Sequence, residues 1–283
     1  MWSASATASA DESGAIDGVL LAVIGVTSPE RRLTVSQRDA ARSEDHNKSG
    51  FINPHGRTEP MTKSIDIDAY QLYTLLADGG LALARTSTGY GLVAMRSDAV
   101  RRIYALKGRS AEKPCVTVGT MTILDDVAKP LEPDTRAWLA GAVERWPMAL
   151  IAATNHSSAL LSKWEPFVAA QCTKGDTIAT FFGVGDLIAR AATIAYGHGQ
   201  LIVGSSANLA GTGNNYTIDA VPDVIRKAVD LEFDYGEAPF TSDAKLASTI
   251  LDLTRGGIFQ RQGVAFDEVA ASWREFRSLS RAA

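Results

Sequence analysis

Three short polar segments of the sequence carry the side chains best suited to binding and chemistry. Each contains glycine, and together they offer hydroxyls, an amide and several cations. Glycine lets a ligand approach the backbone, hydroxyls and amides form hydrogen bonds, and cations bind phosphate oxygens. The chemistry they indicate is therefore recognition of a phosphorylated ligand. They are RTSTGYG (Arg85–Gly91), KGRSAEK (Lys107–Lys113) and GSSANLAGTGNN (Gly204–Asn215).

The middle segment places Lys107 and Arg109 on either side of a glycine, so the two side chains can point the same way in an extended or turning backbone. A guanidinium fork binds phosphate in a bidentate manner, and an ammonium adapts to the remaining oxygens. Between Arg96 and Lys113 there are six basic residues and two acidic ones. The alternative is that cations at a helix end only complement its dipole, which contributes about 0.3–1 kcal/mol each.

The third segment places Ser206 and Asn208 two residues apart, directly after an apolar stretch that predicts a strand. Ser, Asn and Gly are also ordinary turn residues, so this segment alone does not require a ligand. The first segment, with the hydroxyls of Thr86 and Thr88, is no stronger by itself. The three together favour a site, because the first and third follow apolar strands, the second runs from a helix end into a strand, and α/β sheets bind ligands in loops beyond strand ends.

Composition limits the classes of function that fit. The chain has 283 residues, is 46% hydrophobic and carries a net charge of −4, so a site for a polyanion must be a local basic patch. Neither of the two cysteines lies in a CxxC pair, and the four histidines lack metal-ligand spacing. No apolar run approaches the roughly 18 residues of a membrane span, and the best candidate, Ala15–Val26, contains Asp17. We expect a cytoplasmic protein that does not contact membranes.

The elements that must position the three segments alternate from about Ile65 onward. Helical spacing of apolar residues predicts a helix over SDAVRRIYALKG, with Ser97 as its N-cap and Gly108 beyond its end. ASTILDL and GIFQRQG predict a closing pair of strands. Interleaved helices and strands indicate an α/β domain with a mixed sheet. Residues 1–60 are polar and lack periodicity, which predicts either a poorly ordered extension or sequence upstream of the start codon, with the domain covering residues 61–283.

Taken in order, several motifs resemble those of the YrdC family, which includes threonylcarbamoyl-AMP synthases and YciO-type proteins. TSTGYGL resembles the family's PTxTVYGL loop, and VRRIYALKGRSAEKP is similar to its V..IY.LKGRP..KP segment. SSANLAGT, STILDL and RQG follow in the family's order, so the resemblance covers roughly residues 65–265. It implies a YrdC-type α/β fold, in which a twisted mixed sheet with flanking helices has a concave basic face.

The resemblance also implies a reaction and its participants. Bicarbonate and an amine give a carbamate, which attacks the α-phosphate of ATP to form an N-carbamoyl-AMP and release pyrophosphate, with Mg²⁺ held by ATP and no metal site of the protein. Lys107 and Arg109 would grip the phosphates and carry the catalysis. The rest of the nucleotide site would be Ser206, Asn208, Ser248, Thr249 and Arg261, and the substrate amine would meet Thr86 and Thr88.

Two departures from the family pattern fall on the amino-acid side of the site. Arg85 replaces the proline that opens the family's first loop, and Phe181 stands where the family has a carboxylate-binding arginine. We expect a substrate amine other than threonine in a specialised pathway, with Arg85 supplying the charge that Phe181 lacks, and a downstream carbamoyl-transfer enzyme as a partner. The alternatives are an RNA- or nucleotide-binding YciO-like module without synthase activity, and a carbamoyltransferase that uses a ready-made donor.

Overall fold

The computed structural model describes residues 64–108 and 113–282, with side chains to residue 280. All of these residues belong to one compact unit. The predicted extension at residues 1–60 and the predicted phosphate ligand Arg109 lie outside the described residues. The start of the domain at residue 61 therefore stays a prediction.

A single mixed sheet organises the described residues. The strands are β1 (Ala82–Thr86), β2 (Gly89–Ala94), β3 (Val116–Val118), β4 (Met148–Ala153), β5 (Thr173–Lys174), β6 (Thr177–Phe182), β7 (Val203–Ser206), β8 (Leu231–Phe233), β9 (Thr249–Asp252) and β10 (Ile258–Arg261). They follow the order β10-β9-β4-β6-β3-β7-β2-β1-β8, and β5 pairs with β6. Three pairs are parallel (β1 with β8, β3 with β6, β4 with β9) and the others are antiparallel, so the predicted α/β class with a mixed sheet is confirmed.

The helices flank this sheet. They are α1 (Ile65–Ala77), α2 (Ser97–Lys107), α3 (Met121–Val127), α4 (Pro133–Val143), α5 (Pro166–Cys172), α6 (Asp186–Gly197), α7 (Asp223–Ala228) and α8 (Phe266–Ala282). Gly108 ends α2 in a left-handed conformation (φ 54°), as predicted. Ser97 is the first helical residue rather than the N-cap, which is Arg96. Among the described residues, no helix combines the length and apolar character needed to span a membrane.

Alternation along the central strands sends neighbouring side chains into two different cores. On β1, Leu83 packs with α2, α5 and α7, whereas Ala82 and Ala84 pack with α1 and α6. Farther along the sheet, Leu150 and Leu251 pack with α3, α4 and α8. Most helices thus cover one face of the sheet. The other face is covered by α1 and α6 near β1, and no other helix among the described residues covers the rest of it.

Candidate functional site

The open part of that face is the floor of a cleft of about 880 Å³. Strands from β10 to β1 contribute to its lining, and Gly91 and Gly204 lie in its floor. A Cβ atom at Gly204 would approach the carbonyl oxygen of Leu92 to 2.9 Å, and one at Gly91 would approach the Thr86 side chain to 3.2 Å. These glycines therefore let neighbouring strands approach closely while leaving the space above them free. The volume lies within the range of ligand pockets, which is about 300–1,000 Å³.

The cleft brings together six of the residues predicted from the sequence. They come from four separate parts of the chain, which the crossovers of the sheet bring to one cleft. Lys107 and Asn208 are hydrogen-bonded to Ser206 and lie directly behind it, whereas Arg85 and Thr249 are not among the lining residues. The six are Thr86, Thr88, Phe181, Ser206, Ser248 and Arg261.

Lys107 is 6% exposed, and its ammonium lies inside the turn that contains Ser206 and Asn208. Nζ donates to the carbonyl oxygens of Ser206 and Asn208 (2.9 Å to the latter), to the Asn208 Oδ1 at 2.8 Å and to the Ser206 Oγ at 3.3 Å. The Ser206 hydroxyl in turn donates to Asn208 Oδ1. The lysine at the end of α2 and the serine–asparagine turn after β7 therefore meet at the cleft, and the lysine holds the shape of the turn.

The first polar segment forms the tight turn between β1 and β2. The Thr86 hydroxyl donates to the carbonyl oxygen of Gly89 (2.6 Å) and accepts the Thr88 backbone N–H (3.1 Å). Asn214 donates its amide to the carbonyl oxygen of Thr88 (2.7 Å), which ties the turn to the third segment. Gly89 has φ 128°, a conformation that favours glycine. The conformation of the turn is thus fixed by the Thr86 hydroxyl within it and by Asn214 of the third polar segment.

Arg85 lies on the opposite side of β1 from Thr86, because successive side chains of a strand alternate. Its guanidinium donates to the carbonyl oxygen of Glu237 at 3.2 Å. Close by, the hydroxyl of Tyr90 donates to Asp234, and burial, followed by this bond, raises the pKa of Tyr90. Arg85 therefore belongs to a polar network behind the sheet, and the structure does not bring it together with Phe181.

The hydroxyls and guanidinium at the other end of the cleft are held by β9 and β10. Arg261 donates from Nε to the carbonyl oxygen of Ser248 (2.7 Å) and from Nη2 to the Ser248 hydroxyl (3.0 Å). The buried Thr249 hydroxyl donates to the carbonyl oxygen of Val264 (2.9 Å) and accepts the N–H of Gly263 (3.1 Å). Thr249 therefore fixes the chain after β10, and Ser248 and Arg261 form the wall.

Charge in the cleft is predominantly positive. Among the described lining residues, four are cations and one, Asp252, is an acid. The carboxylate of Asp252 accepts the hydroxyl (2.6 Å) and N–H (2.9 Å) of Thr254 and the amide of Gln260 (3.1 Å). The concave basic face that the family resemblance implied is therefore present, although the whole chain is acidic. The four cations are Lys113, Lys174, Arg255 and Arg261.

Sequence reasoning missed three of these charged residues: Lys174, Arg255 and Asp252. Lys174 belongs to a two-residue strand whose only signal is the turn KGDT, and Arg255 follows β9 in a short 3₁₀ turn. Asp252 stands inside the quoted motif STILDL, where alternation from Ile250 would have placed it on the cleft face.

The described residues contain no cluster of three or more histidine, cysteine or acidic side chains that could hold a metal ion. Asp252, the acid in the lining, is engaged with Thr254 and Gln260. The donor set therefore fits a cation that arrives bound to ligand oxygens better than one held by a cage of protein carboxylates.

Comparison with known proteins shows a family match and solved structures with a similar fold. The model of the Sua5/YciO/YrdC family, described as "Telomere recombination", matches residues 74–263. A hypothetical protein from Streptococcus mutans superposes with a TM-score of 0.61 at 16% identity, covering 72% of this chain and 89% of that one. E. coli YciO gives a TM-score of 0.50 at 16% identity, covering 73% and 93%.

P. abyssi Sua5 complexed with L-threonine gives a TM-score of 0.56 at 22% identity. The match covers 70% of this chain and 54% of that one, so the chain spans little more than half the length of P. abyssi Sua5. No curated protein matches the sequence significantly. With two thirds of its length matched by the family model, and the fold shared with these structures, the chain belongs to the Sua5/YciO/YrdC family.

Proposed function

We propose that this chain is an ATP-dependent carbamoyl-adenylate synthase. An amine and bicarbonate condense to a carbamate with loss of water. The carbamate oxygen then forms a bond to the α-phosphorus of ATP while the bond from that phosphorus to the pyrophosphate oxygen breaks. The products are an N-carbamoyl-AMP and pyrophosphate. A threonylcarbamoyl-AMP synthase runs the same chemistry with threonine as the amine.

One observation carries the proposal: a single cleft combines the serine–asparagine turn, the Ser248–Arg261 wall and an excess of cations. Nucleotidyl transfer needs little covalent help from the protein, because positioning and stabilisation of charge on phosphate oxygens supply most of the catalysis. Lys113, Lys174, Arg255 and Arg261 lie around the cleft and can act on a triphosphate. Lys107 contributes by holding the turn, and Arg109 stays a predicted phosphate ligand.

Mg²⁺ would enter as the complex with ATP, coordinated by triphosphate oxygens, and would neutralise part of their charge. The nucleotide and the carbamate would share the cleft of about 880 Å³. An amino acid or another amine as the third substrate is supported by the family and by the P. abyssi Sua5 structure, which contains L-threonine.

The test is release of pyrophosphate from ATP in the presence of Mg²⁺, bicarbonate and a panel of amines. We expect release to require both bicarbonate and an amine, and Arg261→Ala to lower kcat/KM by roughly 100-fold, which corresponds to the loss of a charged contact to the transition state. Lys107→Ala and Arg109→Ala should abolish release. Lys227→Ala serves as the matched control, since its side chain is 78% exposed on α7 and outside the cleft lining.

Mass spectrometry with ¹³C-bicarbonate separates this function from its alternatives. A labelled carbamoyl adenylate supports the synthase. A carbamoyl product without label, formed only from a ready-made donor such as carbamoyl phosphate, indicates a carbamoyltransferase. Nucleotide or RNA binding without any carbamoyl product indicates a binding module, and full activity of the Arg261→Ala protein would overturn the assignment of the site.

A further inference from the structure

Asn214 and Asn215 end the third polar segment, and both are more than nine-tenths buried. They are 5% and 8% exposed, and each donates its side-chain N–H to a backbone carbonyl oxygen at 2.7 Å. The acceptor for Asn214 is Thr88 in the turn between β1 and β2, and the acceptor for Asn215 is Ala207 after β7. Of the two asparagines, only Asn214 lines the cleft. Asn214 is therefore a buried amide with one side on the hairpin turn and another on the cleft.

The hydrogen bond to Thr88 fixes which way the Asn214 amide faces. A carbonyl oxygen only accepts hydrogen bonds, so Nδ2 lies on the Thr88 side and Oδ1 is the other branch of the amide. The backbone N–H of Asn214 donates to the carbonyl oxygen of Lys245 at 2.8 Å. Among the residues that the structure describes, none donates a hydrogen bond to Oδ1, and Oδ1 is not one of the atoms that they enclose without a partner. This acceptor therefore opens to the cleft.

An acceptor on a buried side chain indicates a ligand or water that supplies a donor, because leaving it unpaired costs free energy. The triphosphate oxygens of ATP are acceptors at neutral pH, so they do not pair with Oδ1. The donors among the proposed substrates are the nitrogen of the amine, the ribose hydroxyls and the amino group of adenine.

The position of Asn214 favours the amine among these donors. Thr88, which accepts its Nδ2–H, belongs to the turn whose hydroxyls were predicted to meet the amine. The next residue, Asn215, is bonded to the turn that contains Ser206 and Asn208 and was predicted to bind the nucleotide. In a carbamoyl adenylate, only one carbon and one oxygen separate the nitrogen from the α-phosphorus. The acceptor for its N–H must therefore border both the amine site and the phosphate site, as Asn214 does.

We propose that Asn214 binds the nitrogen of the amine substrate through Oδ1 and thereby restricts the enzyme to primary amines. The proposal rests on the proposed function. When a primary amine condenses with bicarbonate and water is lost, the nitrogen keeps one hydrogen. This hydrogen stays in place while the carbamate oxygen bonds to the α-phosphorus and pyrophosphate leaves, so it can donate to Oδ1 throughout. The carbamate of a secondary amine has no such hydrogen and leaves Oδ1 without a donor.

The test compares primary amines with their N-methyl derivatives, such as glycine with N-methylglycine, in the pyrophosphate-release assay. For the unmodified protein we expect kcat/KM to be at least about tenfold lower for the N-methyl derivative, because a site built to bind an N–H rejects an analogue that lacks it. Asn214→Ala should reduce this ratio by slowing the reaction of the primary amine. The matched control Asn215→Ala removes a bond of the same kind and length outside the cleft lining and should leave the ratio unchanged.

The outcomes separate the inference from the function on which it rests. A ratio below about tenfold in the unmodified protein overturns the inference and leaves the synthase in place, and this comparison needs no variant. A ratio that falls no further in Asn214→Ala than in Asn215→Ala also overturns it. So does a fall that comes only from faster reaction of the N-methyl derivative, which indicates steric exclusion. Weaker ATP binding by Asn214→Ala without amine, measured by calorimetry, would assign Oδ1 to the nucleotide and contradict the inference.

If no amine supports pyrophosphate release, the proposed function fails, and two stable urea analogues of the carbamates decide the inference. N-carbamoylglycine keeps the N–H, and N-carbamoyl-N-methylglycine lacks it. Saturation-transfer NMR that detects binding of N-carbamoylglycine alone to the unmodified and Asn215→Ala proteins, and of neither compound to Asn214→Ala, supports the inference. Any other pattern of binding contradicts it.

Discussion

Lys107 shows at the scale of a single residue how a buried cation shapes the cleft. Its ammonium is surrounded by four oxygen atoms from Ser206 and Asn208, two of them backbone carbonyls. A buried charge is tolerated when its hydrogen bonds are satisfied, and each acceptor in turn needs the donor. The lysine and the turn are therefore mutually dependent, and the turn's conformation near the cleft follows from the lysine.

We expect Lys107→Met, which keeps the length of the side chain but removes the donor, to lower the free energy of unfolding by about 1–3 kcal/mol, because buried acceptors are left without a partner. Urea denaturation followed by circular dichroism measures this. Lys113→Met is the control, since that lysine is exposed at the cleft and its loss should change stability by less than about 0.5 kcal/mol. Equal losses in the two variants would contradict the role given to Lys107.

Residue types and their order allowed three of the six cleft residues, Thr86, Thr88 and Ser206, to be predicted, because hydroxyls after apolar strands signal a site. Phe181, Ser248 and Arg261 were predicted only from the resemblance to the family. The sequence also indicates that Arg85 and Thr86 point to opposite faces of the sheet, since they are adjacent on one strand and successive side chains of a strand alternate. What the sequence could not provide was the partner of each group. The bond between Lys107 and Asn208 joins residues 101 positions apart, and such a contact depends on the complete fold.

Helix α2 illustrates at the scale of an element how the chain compensates for a missing cap. Ser97 does not cap the helix with its side chain, and Arg96 at the N-cap has no capping hydrogen bond. Instead, Glu165 from before α5 accepts the backbone N–H of Ser97 at 2.8 Å. Hydrogen bonds from Ser97, together with the nearby charge of Arg96, lower the pKa of the Glu165 carboxyl. A carboxylate at a helix N-terminus is also favoured by the helix dipole.

We expect Glu165→Gln to lower the free energy of unfolding by about 0.5–1 kcal/mol at neutral pH. This is the low end of the range for loss of a helix cap, because the Glu165 side chain is partly exposed to solvent. A lowered folded-state pKa means that the stabilisation is complete above the unfolded-state pKa of about 4.3 and is lost as the pH falls through the folded-state value. Denaturation of both proteins at neutral pH and below pH 4 should therefore show the difference shrinking in acid. Glu144→Gln is the control, since that residue is exposed and its substitution should change the free energy of unfolding at neutral pH by less than about 0.5 kcal/mol.

Among the elements, α2 and the strand pair of β9 and β10 were predictable from the spacing of their apolar residues. The short strands β5 and β8 and the seven-residue helix α3 have too few residues for a period to be read. The strand order is a different problem, because β4 pairs with β6 and β9 while β3 pairs with β7, and these choices depend on packing between distant segments. The resemblance to the family supplied the architecture that periodicity could not.

At the scale of the whole molecule, α8 supports the cleft from the opposite face of the sheet. It lies beyond the residues that the family model matches, which end at 263. Trp273 is 5% exposed, packs against Trp138 with the ring centroids 4.7 Å apart and the rings tilted by 57°, and donates its indole N–H to the carbonyl oxygen of Gly257 at 3.0 Å. Gly257 lies in the turn between β9 and β10, so α8 supports the hairpin that carries Arg255 and Arg261.

We expect Trp273→Ala to lower the free energy of unfolding by about 3–5 kcal/mol, the range for loss of a large buried aromatic side chain. The same variant should weaken the proposed binding of ATP, measured by calorimetry under conditions where the protein is folded, because the hairpin loses its support. Leu279→Ala on the same helix is the control, since that side chain is 66% exposed. Unchanged ATP affinity in a folded Trp273→Ala protein would show that α8 stabilises the fold without affecting the cleft.

The distribution of charge could be anticipated only in outline. A net charge of −4 required any anion site to be local, and the cleft meets this requirement with four described cations against one acid. Lys174 and Arg255 could not be assigned to it because the turns that carry them have little sequence signal.

The hydrogen bonds of Lys107 also limit how this part of the sequence can change during evolution. A homologue in which the lysine is replaced would leave the oxygen atoms of the turn without this hydrogen-bond donor. A homologue in which the asparagine is replaced would leave the buried ammonium without its side-chain amide acceptor. Positions 107, 206 and 208 should therefore be retained or exchanged as a set among descendants of a common ancestor, whichever substrate each descendant has come to use.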